Sequence, residues 1–288
     1  MPYGFPSGPE LMRRVLSELE PRKHLDLRET LIRLGCTNEQ INDFHKCLSK
    51  ADMPSVDLFL EHRTEFMTIG KLSIVLTLSL FEQEKKLFDP TIKGKSWYEY
   101  LWNKLNDAHF EEFDKNQLAI ITFNYDRSFE HYLFTVMQGL YNKSDQEIVE
   151  KLSTIPIIHV HGRLGVLPWQ DGVIKRRYDA GIFYDQTKDL SDQIKVLSES
   201  VDRSPEFDEA FRILSSAKKI CFLGFGYNNK NLQRLRIKSI NVSMVKPIGS
   251  AYRLGMTQKA EIRADWPIKF FSSFNEILEF LKNNILLN

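Results

Sequence analysis

Three short stretches of the chain place polar residues just beyond apolar runs, where an ordered backbone could aim them at a ligand. The first is Thr122-Phe123-Asn124-Tyr125-Asp126. An Asn and an Asp at a strand end can hold a polar ligand by paired donors and acceptors. Asp126 can equally do no more than cap the helix that follows. The second is Ile157-Ile158-His159-Val160-His161-Gly162-Arg163-Leu164-Gly165. Two histidines two apart share one face of a strand, which would suit a metal pair, but no third ligand follows at a useful spacing. His161 stands immediately before a glycine that frees the backbone to turn, and an imidazole there can act as a base. The third is Cys221-Phe222-Leu223-Gly224-Phe225-Gly226-Tyr227-Asn228-Asn229. Its glycines would let a ribose or phosphate approach closely, and a helix start would offer N–H donors. A plain tight turn explains this stretch as well.

Each stretch needs an element to hold it. Residues 118–123 are apolar and rich in β-branched side chains, bounded by Lys115, Asn116 and Gln117, and read as a strand buried on both faces. Asn124 and Asp126 then lie past its C-terminal end, where open parallel sheets bind ligands. A helix from 127 to about 140 should bury Phe129, Leu133, Val136 and Leu140. Further strands are expected at 155–160, 194–198, 219–224, 246–251 and 268–271. Pro205 behind Ser204 starts a helix to about 216, and Ser273 with Glu276 should cap the last one. This alternation predicts an α/β fold with a parallel sheet.

The N-terminal part differs. Ser7 and Glu10 should cap a helix from about 9 to 19. Residues 20–112 read as entirely helical. Leu27, Leu31 and Leu34 mark a helix closed by Gly35. Thr37 with Gln40 opens 38–50, Pro54-Ser55 starts another, 65–87 reads as one long helix, and Ser96 with Glu99 caps 97–107. The expected layout is one domain over 1–288, with a helical insertion at about 20–112 in a core formed by about 1–19 and 113–288.

Composition removes several function classes. Net charge is +1, which leaves no electrostatic footprint for nucleic acid. The one basic triplet, Lys175-Arg176-Arg177, reads as a solvated loop. The longest apolar run, residues 72–81, is too short to span a membrane and suits a core helix. Cys36, Cys47 and Cys221 are far apart and odd in number, so they form neither a disulfide framework nor a zinc site, and a reducing cytoplasm fits.

Taken together the three stretches resemble the sirtuin-like family, specifically its bacterial members associated with anti-phage defence and NAD breakdown. Thr122 to Asp126 is similar to the family's Thr-x-Asn-x-Asp block. Val160-His161-Gly162 is similar to its catalytic His-Gly, and Phe222 to Tyr227 to its second glycine loop. Gly4-Phe5-Pro6-Ser7-Gly8 resembles the turn after its first glycine motif. The chain departs from protein-deacylating members at several points. The four-cysteine zinc module after His-Gly is missing, so no zinc is expected. Phe123 replaces the glutamine before the motif asparagine, and no arginine follows Pro6. The opening strand with Gly-Ala-Gly-x-Ser is not in the sequence. The chain is therefore expected to be a truncated member, with a gap in the sheet beside residues 118–123 and poor NAD affinity.

The resemblance implies a Rossmann-like core that cleaves the bond between nicotinamide and ribose of NAD, as an NAD glycohydrolase. Asn124 would orient the ribose hydroxyls and a water, His161 would be the general base, and Asp126 would hold nicotinamide or neighbouring groups. Gly4, Phe5, Pro6, Thr122, Phe123, Gly224, Phe225, Gly226 and Asn231 would bind the dinucleotide, with Asn124, His161 and Gly224 converging on one pocket. A second copy of the chain, or an effector or sensor protein, is the implied macromolecular partner. Two alternatives stand beside hydrolysis. One is an NAD-dependent protein deacylase. The other is a non-catalytic module that binds NAD or ADP-ribose.

Overall fold

The computed structural model of the chain describes residues 3–20, 26–106, 109–181, 184–196, 204–241, 245–252, 254–271 and 276–284. Fourteen helices and five short strands follow in chain order among these residues. Seven helices come first: α1 (Gly8–Leu19), α2 (Asp26–Arg33), α3 (Asn38–Lys50), α4 (Val56–His62), α5 (Met67–Ser79), α6 (Glu84–Leu87) and α7 (Trp97–Leu105). Next are β1 (Ile120–Thr122), α8 (Ser128–Leu140), α9 (Asp145–Leu152), β2 (Ile157–His159), α10 (Tyr184–Gln193) and α11 (Pro205–Ser216). The chain continues with β3 (Cys221–Phe222), α12 (Asn229–Arg234), β4 (Ile248–Gly249), α13 (Met256–Asp265), β5 (Lys269–Phe270) and α14 (Ile277–Asn284). This is an α/β, Rossmann-like fold with a helical N-terminal region.

The chain divides into two compact units. The first holds Met1–Ile92, Thr122–Thr154 and His161–Val201, and the second Lys93–Ile121, Ile155–Val160 and Asp202–Asn288.

In the first unit α5 is the central helix. Every residue from Ile69 to Ser79 is buried, and α1, α2, α3, α4 and α10 pack around it. Local signals set the surrounding helices. The Glu10 carboxylate accepts from the Ser7 N–H at 2.7 Å and its hydroxyl at 2.8 Å. Thr37 and Gln40 bond reciprocally at 3.1 and 2.8 Å, and Gly35 closes α2 at φ +98°. Val15, Leu19, Leu31, Phe44, Leu48 and Phe59 fill the core, which continues without a break to Tyr125, Leu164 and Ile194. The loops that carry the candidate site are thus packed on the helical bundle itself.

Residues 65–87 do not form one helix. A 3-10 turn at Thr64–Phe66 precedes α5, and the chain leaves α5 at Leu80 and turns by 62° before α6. The break carries Glu82 inward, where it is 1% exposed. In α8 the buried face is Phe129, Tyr132, Leu133, Phe134 and Met137, while Leu140 is exposed. Tertiary packing has rotated the buried stripe away from the expected one.

In the second unit β3, β4 and β5 form a parallel sheet with Cys221 opposite Ile248 and Phe222 opposite Gly249. Ile248 and Gly249 pair in turn with Lys269 and Phe270. β1 pairs with β2, and the Ile120 N–H donates to the Pro156 carbonyl at 2.8 Å. Among the described residues no strand joins these two sheets. The strand expected at 194–198 is reduced to one bridge between Ile194 and Gly162, and residues 197–198 lie outside the described residues. The Ser273 cap also lies outside them. Among the described residues no single helix is long and apolar enough to cross a membrane.

Candidate active site

The end of β1 and the end of β2 feed two turns that meet in the first unit. After Thr122 the chain runs through Phe123 and Asn124, where the Asn124 N–H donates to the Thr122 hydroxyl at 3.1 Å. After β2 it passes His161 and Gly162. Because β2 stops at His159, His161 lies in a turn, and the alternation expected to align the two histidines does not extend to it.

Two contacts hold the turns together. The rings of Phe123 and His161 meet edge-on with centroids 5.3 Å apart, and the Leu164 N–H donates to the Tyr125 carbonyl at 2.9 Å. Asn124 is exposed, whereas His161 is buried. The imidazole is thus held against an aromatic edge, and the exposed Asn124 follows Phe123 directly in the chain.

Gly162 is required where it stands. Its φ is +80°, and a Cβ there would overlap the Gln193 carbonyl oxygen. That close approach lets the Lys195 N–H donate to the His161 carbonyl at 2.7 Å, which fixes the backbone at His161.

Asp126 caps α8 in part, since its carboxylate accepts from the Ser128 N–H at 3.2 Å. Burial pushes its carboxyl above the usual carboxylate range. The Ser128 bonds oppose this, and the nearby Glu82 and Glu130 carboxylates add to it. Ser128 also shares a 3.0 Å hydrogen bond with the Tyr178 hydroxyl.

Beneath Asp126 is a charge network absent from the sequence expectations. Arg127 is fully buried and binds Glu82 with its backbone N–H and its Nε, both at 3.1 Å, and with a terminal nitrogen. Its other terminal nitrogen donates to the Arg176 carbonyl at 2.7 Å. Arg176 also binds Glu82 and donates to the Gly181 carbonyl at 2.7 Å. The basic triplet is therefore not a solvated loop throughout: Arg176 is 2% exposed, and only Lys175 and Arg177 face water. One signal could have revealed this, a single glutamate at the end of a long apolar run. Tyr125 makes a second tie, donating its hydroxyl to Asp57 of α4 at 2.6 Å. Burial raises the Asp57 carboxyl, and this bond opposes the shift.

The N-terminal turn belongs to the same unit. Gly4 adopts φ +74° beside the Lys86 side chain, Phe5 is buried with its ring 6.3 Å from that of Phe81, and Pro6 is half-buried.

The glycine loop lies in the second unit. Gly224 adopts φ +59° and donates its N–H to the Ser250 hydroxyl at 2.8 Å. The Tyr227 hydroxyl donates to the Ser250 carbonyl at 2.7 Å, an approach that only a glycine at 249 permits. The donors expected from the helix start are engaged, because Asn228 accepts from the N–H groups of Lys230 and Asn231. Phe225 packs on Phe222 and Tyr227, with centroids 5.4 and 5.3 Å away, and a Cβ at Gly226 would meet open space. Asn231, on α12, keeps a buried Oδ1 without a hydrogen-bond partner.

All three cysteines are free thiols. Among the described residues no group of three or more His, Cys, Asp or Glu side chains is gathered as a metal would require.

No curated protein and no solved structure gives a significant match to the chain. A family model does: residues 118–248 match the SIR2-like domain, and this span contains all three strand-end stretches. That match to the SIR2-like domain over residues 118–248 supports a sirtuin-like family for this part of the chain.

Proposed function

We propose that the chain is an NAD hydrolase that releases nicotinamide and ADP-ribose. The observation that carries this reading is the Phe123–His161 contact, which holds an imidazole beside the Asn124 turn within a SIR2-like domain. The family binds NAD. In the proposed reaction the C–N bond between ribose C1′ and nicotinamide breaks, and its electron pair goes to the ring nitrogen. Water oxygen bonds to C1′ and loses its proton to His161. Asn124 holds the ribose hydroxyls and the water. Gly4, Phe5, Pro6, Thr122 and Phe123 contact the dinucleotide.

The buried Arg127–Glu82–Arg176 network holds the Asn124–Asp126 turn rigid, and positioning of this kind supplies rate without a metal. Asp126, shifted toward its neutral form, can donate as well as accept a hydrogen bond, which suits a carboxamide ligand such as nicotinamide. Bacterial anti-phage defence in the cytoplasm is the setting that agrees with the family resemblance. The N-terminal helices would then serve as the assembly or sensing face.

The test is to incubate the chain with NAD, with and without an acylated peptide, and follow nicotinamide. Release without peptide supports hydrolysis. Release only with peptide would make it a deacylase, and NAD binding without release a non-catalytic module.

A further inference from the structure

Arg163 stands two residues beyond His161 and immediately before Leu164, whose N–H is bonded to the Tyr125 carbonyl. Its backbone is thus beside the Asn124–Asp126 turn, and Gly162, at φ +80°, turns the chain between the base and the arginine. Three guanidiniums gather near α8. Two of them, Arg127 and Arg176, share Glu82. The third, Arg163, is half-buried, and its guanidinium makes no hydrogen bond and no ion pair among the described residues. Burial works against its charge, the Glu130 carboxylate opposes this, and the Arg127 guanidinium adds to it.

A guanidinium stays charged under any ordinary condition. A partly desolvated one without a bonded partner is costly, and an arriving anion removes that cost. The planar fork of an arginine fits a phosphate through two parallel bonds. We infer that Arg163 receives the diphosphate of the dinucleotide, an assignment that rests on the NAD reading of the site. The chemistry selects this part of the ligand. The nicotinamide ring is cationic before cleavage and repels a guanidinium, whereas the diphosphate carries the negative charges. The competing role is that of a counter-ion for buried Glu130.

The test is calorimetric titration of the full chain with ADP-ribose and, separately, with adenosine, which has no phosphate. It is run on the wild type, Arg163→Gln and Arg163→Lys at low and high salt. The inference expects Arg163→Gln to weaken ADP-ribose about tenfold or more. It also expects a flatter salt dependence, unchanged adenosine binding and partial recovery in Arg163→Lys. Equal weakening of both ligands, no weakening, or no ADP-ribose binding by the wild type would overturn it. So would a lowered melting temperature with unchanged ADP-ribose affinity, which would assign Arg163 to Glu130. Nicotinamide release from NAD is read in parallel. No release by the wild type, with ADP-ribose binding still dependent on Arg163, would sink hydrolysis and keep the anion site. Release by Arg163→Gln equal to wild type at every NAD concentration would do the reverse.

Discussion

The imidazole of His161 meets the ring of Phe123 edge-on, with centroids 5.3 Å apart and planes at 65°. Edge-to-face pairs contribute roughly 0.5–1.5 kcal/mol beyond their buried area. Phe123→Leu keeps the apolar volume and removes the edge contact. The expected result is a fall in kcat of about two- to tenfold with KM for NAD near wild type, read by steady-state nicotinamide release. An unchanged kcat would show that the ring does not orient the base.

Asn124 and His161 call for different substitutions. Asn124 is exposed, so Asn124→Ala should change stability by no more than about 0.5 kcal/mol while abolishing NAD cleavage. His161 is 6% exposed, and truncation to alanine would also open a cavity. His161→Gln keeps most of the volume and removes the base. Thermal melts beside activity separate the two effects. Loss of activity only in step with loss of the fold would make His161 structural.

Removing the Glu82 charge leaves Arg127 and Arg176 buried without their shared carboxylate. Breaking a buried pair in this way costs about 3–5 kcal/mol, a large share of the roughly 5–15 kcal/mol that holds a domain together. Glu82→Gln is expected to lower the denaturation midpoint sharply, measured by chemical unfolding. A midpoint within error of wild type would mean that the network does not hold the turn.

Asp126 gives a pH test. Its folded carboxyl titrates above its unfolded value, so the fold favours the neutral form. The stability this contributes is fully present below the unfolded value and is lost as pH rises through the folded one. Asp126→Asn mimics the neutral form and keeps an oxygen for the Ser128 N–H. It should melt at or above the wild-type temperature near pH 7, lose that advantage in acid, and lower activity. A variant that melts lower than wild type at pH 7 would contradict the assigned shift.

The sequence carried the helix starts well, because a cap is a local device: Ser7 with Glu10, Thr37 with Gln40, Ser55 and Ser96 all begin helices where their side chains imply. Both β1 and β2 lie within their apolar runs. What the sequence did not carry depends on partners distant along the chain. The break at Leu80 exists because Glu82 must reach Arg127 and Arg176, 45 and 94 residues away. The exposure of Leu140 and the burial of Arg176 follow from the same tertiary choices. In the site, the motif residues were legible one by one. The ring contact between Phe123 and His161, the tie from Tyr125 to Asp57, and the use of the Gly224 amide by Ser250 were not.

The most direct test of the central claim is a paired quantification of nicotinamide and ADP-ribose after the chain is incubated with NAD, for the wild type and Asn124→Ala. The account predicts the two products in equal amounts from the wild type without any acylated peptide, and neither from Asn124→Ala at an unchanged melting temperature. Equal product from both proteins, or none from the wild type, would contradict it.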